Sequence, residues 1–96
     1  KVTTPNVTPK LVIHELGLVF DSRTNRKFTQ AVVNEGITTK KGFGTIVGAG
    51  GQHEVTADLF TSWVLGTFTG PGEGDVNLPQ FMDNNIATWV NIASTP

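Results

Sequence analysis

The sequence predicts an all-β domain, an antiparallel β-sandwich or small barrel of Ig-like or jelly-roll type, with room for one short helix. Three observations carry that expectation. Fourteen Thr, eleven Val and eleven Gly in 96 residues favour pleated strands joined by tight turns. The apolar residues fall in short runs rather than long ones, and turn-forming residues recur every eight to twelve positions. A chain of this length supports one core and no second domain.

Taken in order, residues 1–9 ("KVTTPNVTP") read as an extended Pro/Thr arm or linker, residues 10–92 as the single β domain, and residues 93–96 ("ASTP") as a C-terminal linker. With a first residue of Lys rather than Met, such ends suggest a domain cut from a longer protein. Asn6-Val7-Thr8 fits a glycosylation sequon, weakened by Pro9.

The run "KLVIHELGLVF" (10–20) reads as a strand whose buried face changes: Leu11 and Ile13 share one parity, Leu16, Leu18 and Phe20 the other. A bulge near Glu15 or Gly17 would reverse the alternation in this way. "DSRTNRK" (21–27) is then a turn and "FTQAVVN" (28–34) a second strand. That segment has a helical alternative, in which Thr24 caps, Phe28, Ala31 and Val32 fall at i, i+3 and i+4, and Gly36 stops the helix.

"GITTKKGFGTIVGAGG" (36–51) reads as one strand bent by glycines or as two short ones, and "HEVTADLF" (53–60) and "SWVLGTFTG" (62–70) as two more. Leu59, Phe60, Trp63 and Val64 also fit a helical face, so helix and strand stay open over 56–66. "GPGEGD" (70–75) is a loop, and "NIATWVNIA" (85–93) the last strand.

Several chemistries are excluded or weakened. Without cysteine there is no thiolate ligand, disulfide or thiol nucleophile. His14-Glu15 begins a zinc-protease H-E-x-x-H, but Leu18 stands where the second histidine belongs; a second pair, His53-Glu54, lies far along the chain. Adjacent strands would let His14 and His53 meet, yet two histidines alone make a poor metal site. The glycines from Gly42 to Gly51 form no phosphate-binding pattern. Ser22, Ser62 and Ser94 lack a nucleophile context, so no catalytic residue, metal or cofactor is assigned and the chain reads as a non-enzyme.

The net charge of −1 conceals a division, +4 over residues 1–41 and −5 over residues 42–96. The basic residues Arg23, Arg26, Lys27, Lys40 and Lys41 occupy two expected turns, too sparse for a nucleic-acid stripe and placed to meet an acidic loop of a neighbouring copy. No run is long and apolar enough to span a membrane. The expected function is therefore a structural or adhesive β domain of a virion or extracellular surface assembly, a homo-oligomer packing through protein subunits. The alternative is a carbohydrate-binding module, with Trp63 or Trp89 as the platform for a glycan and Glu73, Asp75 and Asn77 as polar contacts or a calcium site.

Overall fold

The computed structural model describes residues 8–95, and among these residues there are four α-helices and no strand. They are α1 (Pro9–Arg23), α2 (Lys27–Asn34), α3 (Gln52–Leu65) and α4 (Leu78–Ser94), with one 3-10 turn at Glu73–Asp75. The sandwich or barrel expectation is overturned, and with it the strand assignments at 10–20, 28–34, 53–60 and 85–93. Most of the arm expected over 1–9, including the sequon's Asn6, lies outside the described residues; Thr8 and Pro9 instead start α1.

The starts of α1 and α4 have local causes. The Thr8 hydroxyl accepts a hydrogen bond from the Leu11 N–H at 3.3 Å, and Pro9, with φ fixed near the helical value and no N–H to leave unpaired, takes the first position. Asn77 does the same for α4, its side-chain oxygen accepting from the Gln80 N–H at 3.1 Å with Pro79 in the first turn. At α3, where Gly51 supplies no capping side chain, the first turn carries Glu54, whose negative charge suits the positive end of the helix. The helical alternative for the second segment is the one that forms. Phe28 and Val32 turn inward on α2, and the Thr24 hydroxyl accepts from the Phe28 N–H.

The core lies between α2, α3 and α4. Phe28 and Val32 meet Val55 and Leu59 from α3 and Leu78, Phe81, Met82 and Trp89 from α4, while Ile37 and Phe43 enter from the irregular connector 35–51. Phe28 stacks on Trp89 with ring centroids 4.3 Å apart and an interplanar angle of 23°. The connector is fastened to the far side of α3: the Thr69 N–H donates to the Gly42 carbonyl, and Ser62 donates its hydroxyl hydrogen to the Thr45 carbonyl. Gly44 sits there at φ +83°, where a β-carbon would stand 1.8 Å from the Thr67 carbonyl oxygen, so no other residue fits.

α1 crosses α3 at Gly17. A β-carbon there would already touch the Phe60 ring at 3.0 Å and the Ala57 backbone at 3.4 Å, so the missing side chain lets the helices approach closely. The glycine read as a strand bulge is a helix-crossing point.

Candidate functional site

The close crossing sets an unusual face of α1 against the protein. Its buried residues are His14, Gly17 and Asp21, two of them ionisable, while Val12, Leu16 and Val19 point outward with 46%, 55% and 58% of their surface exposed. A surface helix ordinarily does the reverse. Over its middle α1 is inverted, with His14 and Asp21 inside and Val12, Leu16 and Val19 outside, although Phe20 packs on the core and Glu15 and Arg23 are exposed.

The inner face is chemically complete. His14 is 2% exposed and lies between two carboxylates one turn apart on α3: Nδ1 is 2.8 Å from Asp58 Oδ1, and Nε2 is 3.1 Å from Glu54 Oε1. Each ring nitrogen thus faces a carboxylate oxygen, and the ring bridges the two acids of α3. Asp58, fully buried, also receives the Lys40 ammonium at 2.8 Å and the N–H groups of Val47 and Gly48. The His14 ring and the Lys40 ammonium thus share Asp58, and the loop bearing Lys40, Val47 and Gly48 is tied to the same carboxylate.

Asp21 anchors a second cluster. It accepts from the Thr29 N–H at 2.9 Å, from the Thr29 hydroxyl at 2.6 Å and from Arg26 at 3.0 Å; His53 approaches it to 3.6 Å. The two His-Glu pairs are therefore shared out: His14 meets Glu54 of the second pair, whereas His53 belongs with Asp21 and Arg26. Among the described residues no three His, Asp or Glu side chains converge as metal ligands would, and every buried side-chain nitrogen and oxygen has a hydrogen-bond partner.

The outer face is open. Leu16 and Val19 form a ridge between two hollows, one lined by Leu11, Val12 and Glu15, the other by Phe20, Phe60, Trp63, Ile86 and Val90, with Arg23 and Ala93 at its rim. Three helices contribute to this apolar surface, and Val90 on α4 is 47% exposed.

The residues singled out in the sequence take separate positions. Trp89 is buried against Phe28, and Trp63 is half-buried beside the outer hollow, its indole N–H donating to Asp83 at 3.0 Å. Glu73, Asp75 and Asn77 do not share a ligand. Glu73 accepts from the Thr38 N–H and hydroxyl at 2.9 and 2.8 Å, and these bonds hold its carboxyl below the usual glutamate range. Asp75 adopts φ +60° in the 3-10 turn, and Asn77 caps α4. Of the basic set, Arg26 pairs with Asp21 and Lys40 with Asp58, Arg23 donates to the Ala93 carbonyl, and Lys27 and Lys41 are exposed. The Lys40–Asp58 pair joins the positive and negative halves of the sequence inside the fold.

The virion or adhesive β domain is overturned with the sheet it rested on. The carbohydrate-binding module is overturned with it, since Trp89 is buried and Glu73, Asp75 and Asn77 have separate roles. Compared with protein-family models, curated proteins and solved structures, the chain matches none. In the sequence Leu16 reads as part of a buried strand face and Val12 and Val19 have no assigned role; the i, i+4, i+7 spacing of the three is the signal of their shared face.

Proposed function

We propose that the chain is a non-catalytic protein-interaction module whose contact surface is the outward face of α1 and the hollow beside it, and whose partner is another folded protein subunit. The inversion of α1 carries this reading. A helix that uses its polar side for internal packing leaves its apolar side for something else, and contiguous exposed hydrocarbon on a small domain marks an interaction surface. Covering what Val12, Leu16 and Val19 still expose is worth about 1 kcal/mol for each residue. The non-catalytic part rests on His14, whose two nitrogens are both committed to carboxylates rather than to a hydroxyl or an open cavity.

A photo-cross-linking side chain placed at Leu16, in the cells that make the protein, tests the reading. The expected result is one stoichiometric adduct with a protein identified by mass spectrometry, absent when the same group replaces Val33 on the outside of α2. Adducts with lipid alone, or an equal smear from both positions, overturn it.

A further inference from the structure

The geometry points to a second copy of this chain as the partner, in a two-fold dimer that pairs the α1 helices antiparallel; this rests on the α1 face being a protein contact. The outward stripe is Val12, Leu16, Val19 and Arg23, with spacings of four, three and four residues. That order is the same from either end about a point between Leu16 and Val19. A two-fold axis there sets Leu16 of each copy on Val19 of the other, and Val12 under the aliphatic stem of the other copy's Arg23. Isologous contacts require this self-complementarity.

Charge fixes the register. Glu15 and Arg23 are both exposed on α1, Glu15 beside the hollow that contains Val12 and Arg23 at the rim of the other. In the antiparallel arrangement each Arg23 comes within one helical turn of the partner copy's Glu15, about 4.5 Å along the axis from Val12, a distance its side chain spans. In the monomer Arg23 makes one hydrogen bond, to Ala93, which leaves most of its five donors for a carboxylate. A parallel pairing would set Arg23 on Arg23 and Glu15 on Glu15. The dimer also extends apolar cover toward Trp63, Ile86 and Val90, which flank the Leu16–Val19 ridge.

Sedimentation equilibrium over a concentration series, on the unaltered full chain, tests the dimer. The expected mass rises from 10.3 kDa to about twice that value, and Leu16→Lys keeps it at the monomer mass with the helical circular dichroism unchanged. Leu16 is already more than half exposed, so this change leaves folding intact. Glu15→Arg and Arg23→Glu, made singly, each weaken dimerisation by roughly tenfold, and the double variant restores it. A dimer that is lost in Leu16→Lys but shows no charge rescue overturns the antiparallel register. A monomer at every concentration overturns the second copy as partner, as does a monomer that floats with anionic phospholipid vesicles through Leu16. Either of those monomeric results leaves the cross-linking at Leu16 to decide separately whether the face binds protein at all.

Discussion

Replacing His14 with alanine removes the ring between Glu54 and Asp58 and leaves a fully buried carboxylate with fewer partners. Taking a hydrogen-bond partner from a buried polar group costs about 2 kcal/mol, and the loss is limited because Asp58 keeps Lys40 and two backbone N–H groups. Urea unfolding of His14→Ala checks the figure. Glu73 carries a pH dependence of known sign. Its carboxyl is held below the usual range by Thr38, so its contribution is present above the ordinary glutamate value of about 4.3 and fades as pH falls through the lower folded value. The stability difference between the parent and Glu73→Gln should therefore shrink on acidification, and a carbon-13 titration of Glu73 should show its midpoint below the ordinary one. The sequence displayed every residue of the His14 cluster, even the second His-Glu pair that supplies Glu54. It did not display their meeting, because Glu54 is forty residues from His14 and comes beside it only when α1 crosses α3 at Gly17.

At the level of elements, capping explains what α1 and α4 owe to local sequence. Thr8→Ala and Asn77→Ala each remove one side-chain acceptor from an exposed helix start and should each cost about 1 kcal/mol, read as lower unfolding midpoints; Thr8→Asp should keep the stability that Thr8→Ala loses. These signals were legible. Thr8-Pro9 and Asn77-Leu78-Pro79 are helix starts, and reading the first as a linker sacrificed the strongest available evidence against a sheet. The bodies of the helices were harder to read. In α1 the residues at helical spacing are real, but the inward set is His14, Gly17 and Asp21, so the apolar residues appear in both strand parities and mimic a bulged strand. In α3 the helical face of Leu59, Phe60, Trp63 and Val64 was visible, but Val55 to Leu59 are all buried, as are Thr61 and Ser62, and a helix covered on nearly every side blurs its apolar stripe. α2 has an ordinary pattern, with Phe28 and Val32 inside and its helical alternative visible in the sequence, and α4 has one too, with Leu78, Phe81, Met82 and Trp89 inside. β-Branched Thr and Val then tipped composition toward strands, whereas Thr24, Thr56 and Thr61 turn their hydroxyls onto backbone carbonyls three or four residues back.

Across the whole molecule, two kinds of adhesive hold the helices. α2, α3 and α4 share an aromatic and aliphatic core around Phe28, Leu59, Met82 and Trp89, while α1 adds Phe20 to its edge and is otherwise held by His14 on α3, by Asp21 on Thr29 of α2 and by the close approach at Gly17. The separation of charge along the chain is part of that fastening, since Lys40 and Asp58 come from opposite halves and meet beside His14. Proteins open in cooperative pieces, and pieces with few buried apolar contacts open at lower cost. Amide hydrogen exchange under native conditions should therefore find α1 detaching before the core unfolds, with its central amides exchanging faster than those around Phe81 and Met82. The Val47 and Gly48 amides lie in an irregular stretch that would ordinarily exchange at once, yet they donate to Asp58. They should be slowed to the same rate as α1, because withdrawing His14 from Asp58 releases the loop that shares that carboxylate. In His14→Ala those two amides should lose protection first, which would mark α1 and the distant loop as one unit of opening.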